Sequence, residues 1–431
     1  MLNQKYVYIE NYGCPSNKFD SEIIVAYLKK VGYELVDVPK FADLLIINTC
    51  AVKKPTEDRI LSRLHFLKDL NKPIIISGCL PKINLQGIMK AVPNFSAVID
   101  PYSVDQITKI IKYVESGRRN LVFFSNVPKI KPQMPRCRMS KVIDIMQISE
   151  GCLGSCSFCC TRFARGVLFS YPLKLIINQI SSAVRDGIKE IWLTSQDTGA
   201  YGMDNNSSLA ELLADICRIE GFFRIRIGMM NPFHILDKID ELIDAYKDDK
   251  VFKFLHLPLQ SANEKVLRRM NRFYNVKDFK RIINAFRKEI PKITLATDII
   301  CGFPNEDEMA FKDSLRVITE IKPDVVNVSK FFPRPRTAAA KMKQLPTQIV
   351  KMRSRRMSKL VKEISNKQNH KWLNWTGEIL IDEKGGNSSW IGRNFAYKPI
   401  VVHCEKDLWG QRMKICVEKV FPTYLEGTII H

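Results

Sequence analysis

Three cysteines stand close together in the segment GCLGSCSFC, at Cys152, Cys156 and Cys159. Three thiolates on one short loop suit a four-iron cluster in which one iron has no protein ligand, because iron–sulfur clusters require soft ligands. That free iron can chelate S-adenosylmethionine (SAM), whose one-electron cleavage yields a 5′-deoxyadenosyl radical. The alternatives are three buried thiols or a zinc site. A zinc site needs a fourth ligand, and only Cys160, badly placed beside Cys159, is nearby.

A second set of cysteines is scattered in sequence but shares a context, since Cys14, Cys50 and Cys79 end the segments IENYGC, IINTC and IISGC. Each cysteine follows the end of a predicted parallel strand. Because the carboxyl ends of parallel strands meet at one edge of an open sheet, we expect the three thiols to gather there. They predict a second three-cysteine cluster, and the alternative is three core thiols. The remaining cysteines show no ligand spacing and are interpreted as packing thiols.

Four polar residues end predicted strands of the central region, and ligands bind at such strand ends in β/α folds. We expect Gln196 and Asp197 to bind the methionine amino group of SAM. We expect Gln260 and Ser261 to reach the ribose hydroxyls. Helix caps and turns are the alternative role for residues of these types.

Three further residues are candidates for contacts with SAM. Asp298 lies inside the apolar strand TLATDIICGF, where a carboxylate needs a partner, so a role facing the cofactor and a buried paired role both fit. Gly302 either allows close backbone approach to SAM or serves a turn. Arg334 either pairs with the SAM carboxylate, as Arg does bidentately, or is a solvated cation. His256 ends an apolar run and is interpreted as a core or turn histidine.

Five segments position these residues. Residues 1–117 alternate strands and helices, which predicts an α/β domain with an open parallel sheet. Residues 118–141 hold prolines among basic residues and predict a linker. Residues 142–333 contain six more β/α units, typical of a partial (β/α)6 barrel. A basic connecting helix region follows at 334–371, and the short strands of 372–431 predict a small antiparallel β-barrel.

The chain of 431 residues carries a net charge of +22, and the segments 118–141 and 330–371 contribute +7 and +12 of it. A positive field so concentrated favours a polyanion partner, usually nucleic acid, over a solvated helix face. Hydrophobic residues make up 45% of the chain, which excludes a disordered protein. Neither a membrane-spanning run nor a signal peptide is recognisable, so we expect no membrane partner, a cytoplasmic protein and reduced thiols.

Nearly the whole chain resembles the radical SAM methylthiotransferase family. Motifs that carry the resemblance are YGCPSNKFDSE (12–22), NTCAVKKPTEDR (48–59), SGCLPK (77–82), SEGCLGSCSFCCTRFARG (149–166), LTSQDTGAYG (193–202), HLPLQSANEKVLRRMNR (256–272), TDIICGFP (297–304) and FFPRPRTAAAKM (331–342). CTRFARG and LTSQDTGAYG are most similar to the archaeal and eukaryotic branch that acts on threonylcarbamoyladenosine in tRNA. The carboxy-terminal end resembles a TRAM domain. The chain departs from the family pattern at Asn305, Arg336 and Ala338, where glycine, glycine and proline are usual.

The resemblance implies two [4Fe–4S] clusters, held by the two cysteine triads, and SAM as both methyl donor and radical source. It implies methylthiolation of C2 of N6-threonylcarbamoyladenosine at position 37, in the anticodon loop of tRNA, with an electron donor and a sulfur source of unknown identity. We expect a monomer. Two alternatives keep the chemistry on another substrate, either isopentenyladenosine in tRNA or a ribosomal protein. A third is a non-catalytic RNA-binding metal protein.

Overall fold

A six-stranded parallel sheet forms the amino-terminal part of the computed structural model, which describes residues 4–430. Its strands in spatial order are β2 (Tyr33–Leu35), β1 (Lys5–Asn11), β3 (Leu44–Thr49), β4 (Ile74–Gly78), β5 (Ala97–Ile99) and β6 (Leu121–Phe123). Alternate residues of β3 enter two different cores, with Ile46 on one face and Leu45 and Ile47 on the other. A strand covered on both faces needs an unbroken apolar sequence, and β3 begins with LLII.

Helices cover both faces of this sheet. They are α1 (Pro15–Lys30), α2 (Lys54–Lys68), α3 (Leu80–Ile83), α4 (Leu85–Ala91) and α5 (Ile107–Glu115). The predicted open parallel sheet is therefore confirmed, but the sequence did not predict β2 or β6. Three-residue strands are too short to show a recognisable apolar pattern. Strand β6 lies in the segment predicted as a linker, so part of that basic segment extends the sheet.

Six parallel strands form the predicted partial barrel in the centre of the chain. In spatial order they are β7 (Ile143–Gln147), β10 (Glu190–Thr194) and β11 (Arg224–Ile227), then β12 (Phe254–His256), β13 (Thr294–Cys301) and β14 (Val325–Lys330). A parallel bridge between Ile225 and Val251 joins the two sets of three. A short antiparallel pair, β8 (Ser149–Glu150) and β9 (Phe169–Ser170), flanks the cysteine loop. The carboxyl ends of the barrel strands thus form one mouth.

Helices alternate with these strands around the outside of the barrel. They are α6 (Thr161–Arg165), α7 (Leu173–Arg185), α8 (Leu209–Cys217), α9 (Pro232–Ile235), α10 (Ile239–Lys247), α11 (Glu264–Arg269), α12 (Val276–Glu289) and α13 (Glu308–Ile321). Helix α12 shows how the local sequence sets these elements. Its amino terminus is a capping box, in which Asn275 and Asp278 each accept a backbone N–H from the other. Its apolar positions, such as Phe279 and Phe286, face the barrel.

A long helix, α14 (Thr347–His370), runs from the barrel to the carboxy-terminal domain and lies against β14 and α13. Its buried Arg353 pairs with Glu306 at 3.0 Å. The last domain is a closed barrel of β15 (Thr376–Lys384), β16 (Ser389–Arg393), β17 (Pro399–His403), β19 (Leu425–Ile429) and β18 (Arg412–Val420). The predicted small barrel is confirmed, with one parallel pair, β17 and β19, among antiparallel ones. Across residues 4–430, no helix combines the length and apolar character needed to cross a membrane.

The small barrel packs against the side of the central barrel through buried charge. The Arg393 guanidinium lies 3.1 Å from the Asp382 carboxylate and stands over the Tyr397 ring. Arg226 of β11 stacks against the same ring, with 5.3 Å between guanidinium and ring centroid. Burial, together with the neighbouring Asp382 carboxylate, raises the pKa of Glu190 to about 8. Glu190 is therefore largely protonated at neutral pH.

Candidate active site

The cysteine loop of the central barrel follows β8 and ends at α6. The backbone N–H of Gly154 donates to Cys152 Sγ at 3.2 Å, and Arg272 Nη1 donates to Cys156 Sγ at 3.3 Å. Gly154 lies so close to both sulfurs that a Cβ there would stand 3.3 Å from Cys152 Sγ and 3.7 Å from Cys156 Sγ. Burial, reinforced by Asp197, Cys159 and Cys156, raises the pKa of Cys152 to about 12. These thiols repel one another as thiolates, so a bound cation would stabilise the ionised form.

The same loop is fastened to the segment that follows α11. Ser157 donates twice, from Oγ to the Arg269 carbonyl at 2.7 Å and from its backbone N–H to the Met270 carbonyl at 3.0 Å. Asn271 Nδ2 donates to both the carbonyl and the hydroxyl of Ser155, at 3.0 and 2.7 Å. Four hydrogen bonds to one short loop fix its backbone before any ligand binds.

The amino-terminal cysteines stand at the carboxyl edge of the first sheet, around Asn17. Cys14 precedes α1, whereas Cys50 and Cys79 directly follow β3 and β4. The Asn17 Oδ1 atom lies 3.6 Å from Cys14 Sγ and 3.9 Å from Cys79 Sγ. A Cβ on Gly13, which has φ +127°, would stand 3.0 Å from Cys50 Cβ. Glycine at position 13 thus lets the Cys14 turn close against Cys50.

The electrostatics of this triad match those of the loop. Burial raises the pKa of Cys79 to about 12, an effect that the Arg165 guanidinium opposes and that Cys50 and Cys14 reinforce. Burial also raises the pKa of Cys50. Among the described residues, no three His, Cys, Asp or Glu side chains come close enough together to hold one metal ion. A cluster instead binds each thiolate through a different iron, so its ligands need no common point. Within each triad the cysteines are near enough to raise one another's pKa, and their role as cluster ligands stays a prediction.

Arg165 connects the two sites through a fully buried charge network. Its Nη2 atom donates to Asn17 Oδ1 at 2.9 Å and to Asp20 Oδ2 at 2.7 Å, and its Nη1 atom donates to Glu150 Oε1 at 2.7 Å. Lys131 pairs with the same two carboxylates, at 2.6 Å for Asp20 and 2.9 Å for Glu150. A residue of the barrel helix α6 thus contacts the asparagine that faces two amino-terminal cysteines.

The two cysteine loops also touch directly. Cys160, which follows the last cysteine of the barrel loop, donates from Sγ to the carbonyl of Ala51 at 3.2 Å. Ala51 in turn follows Cys50. Each contact residue is thus the chain neighbour of a triad cysteine, one from each triad.

A cavity of about 570 Å³ opens between these loops and the barrel mouth. The amino-terminal domain contributes the segment 52–55, and the barrel cysteine loop contributes Phe158. Three of the residues proposed to bind SAM line this cavity, namely Gln260, Asp298 and Arg334. The cavity is therefore bounded by segments that lie next to Cys50 and between Cys156 and Cys159, and by the ends of β12, β13 and β14.

Asp298 is the ionised group of the cavity. Burial raises its pKa, but hydrogen bonds from His256 and Asn327 outweigh that effect, so the pKa of Asp298 is lowered overall. His256 Nε2 lies 3.2 Å from Asp298 Oδ1, and Asn327 Nδ2 donates to the same oxygen at 2.7 Å. The sequence allowed either a buried paired role or a role facing the cofactor for Asp298. In the structure Asp298 is paired and also lines the cavity. His256 was interpreted as a core residue, yet it lines the cavity.

Arg334 lies at the cavity wall but already has a partner, since its guanidinium pairs with the buried Glu57 of α2. Gly302 has φ +80°, and a Cβ there would meet Val350 of α14, so the close approach at this glycine is to protein. The backbone of Gln260 also adopts positive φ, at 68°. Its proposed partner Ser261 is fully buried, and its hydroxyl accepts from the backbone N–H of Asn263.

Gln196 and Asp197 stand beside the barrel cysteine loop. Gln196 Oε1 accepts from the Gly151 N–H at 2.7 Å, one residue before Cys152. Asp197 lies 2.6 Å from His234 Nδ1 and accepts the backbone N–H of Asn231 at 2.9 Å. Both side chains therefore hold the shape of the barrel mouth, and their proposed role toward SAM stays a prediction.

Two of the three departures from the family pattern occupy backbone positions that suit glycine. Asn305 has φ 63° and Arg336 has φ 66°, both in the left-handed region. Asparagine enters this region readily, whereas arginine does so at a cost. The Arg336 guanidinium stacks on the Phe163 ring, 4.5 Å from its centroid, which offsets part of that cost.

Sequence reasoning missed three residues that contact the triad cysteines, or the residues around them, in this structure: Asn17, Arg165 and Arg272. Asn17 lies three residues after Cys14, on the first turn of α1, and that spacing was a usable signal. Arg165 and Arg272 come close to the cysteines only in the folded chain, so their positions in the sequence did not indicate these contacts.

Comparison with known proteins gives a class for this fold and site. The chain matches the uncharacterized protein family UPF0004 over residues 6–100, the Radical SAM superfamily over 146–318 and the TRAM domain over 375–430. A solved structure of the radical SAM methyltransferase TsrM from Kitasatospora setae has the same fold, with a TM-score of 0.57 and 13% identity over 78% of this chain and 75% of that one. The barrel with a three-cysteine loop after its first strand makes this chain a radical SAM protein.

Full-length relatives then narrow the class. A probable threonylcarbamoyladenosine tRNA methylthiotransferase from Pyrococcus horikoshii is 44% identical over 98% of this chain and 99% of its own length. The threonylcarbamoyladenosine tRNA methylthiotransferase of Homo sapiens is 31% identical over 98% of this chain and 73% of its own. The chain belongs to the threonylcarbamoyladenosine tRNA methylthiotransferase family, as the resemblance of its motifs predicted.

Proposed function

We propose that this protein attaches a methylthio group to C2 of N6-threonylcarbamoyladenosine at position 37 of tRNA. The observation that carries the proposal is the contact between the two cysteine loops, at Ala51 and Cys160, beside one cavity. Two adjacent three-cysteine sites allow one bound nucleoside to receive a radical from one side and sulfur from the other. The names of the relatives support the choice of nucleoside.

In this proposal Cys152, Cys156 and Cys159 hold the [4Fe–4S] cluster that binds SAM, and the amino-terminal triad holds the other. When bound, the clusters and SAM supply the radical, the sulfur and the methyl group. The C–H bond at C2 of adenine is too inert for acid–base catalysis by side chains. The chain's own residues therefore bind and orient SAM and the target nucleoside, and they exclude water.

Orientation falls to the polar wall of the cavity. Asp298 remains ionised because His256 and Asn327 donate to it, so it can accept hydrogen bonds from SAM, the role that the sequence suggested for it. Phe158 and Phe331 also line the cavity, and aromatic rings suit the face of a purine. The cavity would thus hold SAM at its polar residues and the target base at its aromatic ones.

The charge of the cavity favours the threonylcarbamoyl nucleoside over the isopentenyl one. Lys53 and Lys330 line it, and among residues 4–430 neither has a carboxylate within 4 Å, whereas the neighbouring Lys54 pairs with Asp58. A threonylcarbamoyl group ends in a carboxylate, which such lysines would bind, whereas an isopentenyl group is apolar. A ribosomal protein substrate would leave the basic surface beyond the cavity unexplained, whereas a tRNA substrate accounts for it.

A basic groove continues from the cavity toward the small barrel. It is lined by Lys53 and Asn327, which it shares with the cavity, by Lys362 of α14 and by Thr423 of the last domain. Further exposed cations on α14 include Arg355 and Lys359. We infer that the anticodon loop lies in this groove, with phosphates against α14 and the target nucleoside in the cavity. We further propose that the protein acts in the cytoplasm as a monomer, with a one-electron donor and a sulfur source.

The test is an anaerobic assay with reconstituted protein, SAM, reductant and tRNA, read by mass spectrometry of nucleosides. We expect a methylthio mass increment on threonylcarbamoyladenosine and none on isopentenyladenosine in a parallel tRNA. The increment on the isopentenyl nucleoside alone would overturn the substrate and keep the chemistry. A protein with its full iron content that cleaves no SAM would overturn the enzyme and leave an RNA-binding metal protein.

A further inference from the structure

The barrel cysteine loop has two sides. Phe158 points into the cavity, where the substrate is proposed to bind. Ser155 and Ser157 instead hydrogen-bond to the segment 269–271, just after α11. The side of the loop that carries these serines is therefore backed by α11 and the residues that follow it.

The surface beside this second side is both aromatic and basic. We call it the α11 patch, and its members are Leu153, Phe233, Lys265, Arg268, Arg269 and Phe273. Phe273 is 61% exposed, and its ring lies 5.7 Å from the 43% exposed ring of Phe233. Adjacent exposed aromatic rings mark surfaces that partners cover. Leu153, on the cysteine loop itself, is also exposed.

Among residues 4–430, only one of the three cations of the α11 patch has a carboxylate within 4 Å. Arg268 forms only a loose pair with Glu264, at 3.7 Å, and both side chains are mostly exposed. Lys265 and Arg269 are exposed on the same short helix. The patch thus combines three exposed positive charges with exposed apolar side chains, which suits an acidic protein surface.

The patch also leads directly to a cluster ligand. Arg272 donates to Cys156 Sγ at 3.3 Å and is the chain neighbour of Phe273. The exposed ring is therefore linked to a cysteine sulfur through one peptide bond, the Arg272 side chain and one hydrogen bond. A donor seated on the patch would therefore approach the loop from the side that Arg272 contacts.

We propose that the α11 patch is the docking surface for an acidic one-electron carrier protein, an iron–sulfur or flavin protein, that reduces the cluster at Cys152, Cys156 and Cys159. One electron leaves the reduced carrier, which is oxidised by one unit, and the cluster is reduced by one unit. The inference rests on the proposed function, because it needs that cluster. A nucleic acid is disfavoured here because the basic groove from the cavity runs past α14 and the last domain, on other elements. Redox encounters also need only small interfaces, as this patch offers.

The test compares two reductants on the reconstituted holoenzyme. One variant is Lys265→Glu/Arg268→Glu, and its control is Lys288→Glu/Lys292→Glu, which changes net charge equally at the amino-terminal end of β13, away from the mouth. Reduction is followed by the loss of cluster absorbance in stopped flow, with reduced ferredoxin as the acidic probe and dithionite as the small one. Binding of fluorescently labelled ferredoxin to protein lacking its clusters gives a second readout.

For the patch variant we expect the ferredoxin concentration at half-maximal rate to rise about tenfold at low salt and much less at high salt. Dithionite should reduce wild type and both variants at the same rate. An unchanged ferredoxin dependence, an equal loss in the control, or weaker tRNA binding with unchanged ferredoxin binding would each overturn the proposal. A cluster that dithionite fails to reduce in wild type would overturn the proposed function instead.

Discussion

The two cysteine triads reach similar local chemistry by different routes. The barrel triad is contained in one loop, from Cys152 to Cys159, whose backbone is fastened to the segment after α11. The amino-terminal triad joins three loops that are 36 and 29 residues apart, at Cys14, Cys50 and Cys79, and depends on the register of β1, β3 and β4. The geometry of the barrel triad is thus set by one peptide segment, and that of the amino-terminal triad by the pairing of strands in a sheet.

Their cationic neighbours differ in the same way. Arg272 serves the barrel triad from the same domain, by one hydrogen bond to a ligand sulfur. Arg165 serves the amino-terminal triad from the other domain, and it is tied to two carboxylates as well. The amino-terminal triad therefore lacks its neighbouring cation, Arg165, until the two domains pack together. The barrel triad has its cation, Arg272, within its own domain.

The largest expected effect comes from removing one cysteine from each triad. Cys156→Ser should abolish SAM cleavage and methylthiolation together, because the radical has no other source. Cys50→Ser should abolish methylthiolation but preserve SAM cleavage, since the barrel loop is intact. Iron analysis checks both variants, with iron falling from about eight atoms per chain to about four in each. If Cys50→Ser lost SAM cleavage in proportion to product, the two sites would not be separable.

The second prediction concerns the bridge between the domains. Arg165→Met leaves Asp20 and Glu150 with Lys131 alone, and breaking such a buried pair costs about 3–5 kcal/mol of unfolding free energy. Lys131→Met is the matched control, because it removes a cation from the same carboxylates but contacts no residue of the triad. Denaturant unfolding should show similar losses for both, and Arg165→Lys should recover part of its loss.

The reduction potential of the amino-terminal cluster distinguishes Arg165→Met from Lys131→Met. In a Cys156→Ser background only the amino-terminal cluster remains, so its potential can be read by EPR-monitored titration. Arg165→Met should lower that potential by about 60 mV, equivalent to a tenfold change for one electron, because a nearby cation is lost. Lys131→Met should leave it nearly unchanged. Equal shifts in both variants would mean that Arg165 acts only through the fold.

A smaller effect is expected at the barrel triad. Arg272→Met removes the donor to Cys156 Sγ, and a hydrogen bond to a charged group contributes about 1.5–3 kcal/mol. The potential of the barrel cluster, titrated in a Cys50→Ser background, should fall, and Arg272→Lys should restore part of it. The amino-terminal potential should stay constant, and a shift there would contradict the separation of the two sites.

The last prediction tests a region remote from both triads. The pKa of Glu190 is raised by burial to about 8, well above the model-peptide value near 4.5. The folded protein therefore holds a proton that the unfolded chain releases, so stability is lost as pH rises from about 4.5 to about 8. Glu190→Gln should flatten this slope in pH-dependent unfolding while iron content stays unchanged. An unaltered slope would show that Glu190 is not the titrating group.

The sequence was sufficient for the fold class and for the grouping of cysteines, but its account of their surroundings was incomplete. Strands such as β3 and β13 are long and apolar, so their ends, and the cysteines after β3 and β4, could be located from pattern alone. Arg334 was predicted either to pair with SAM or to be solvated, and its contact with SAM stays a prediction, but its pairing with Glu57, 277 residues away in the chain, was not predicted. Charge pairing between domains leaves no periodic signal, and the same holds for Arg165 and Arg272.

The buried network also has a consequence for synthesis of the chain. Asp20 leaves the ribosome first, its partner Lys131 follows more than a hundred residues later, and Arg165 comes last. The amino-terminal sheet has all its strands by residue 123. During translation it therefore passes through a stage in which its fold is present but its cysteine edge lacks the compensating cations. The iron-loading machinery would meet a finished site only after the start of the barrel had been made.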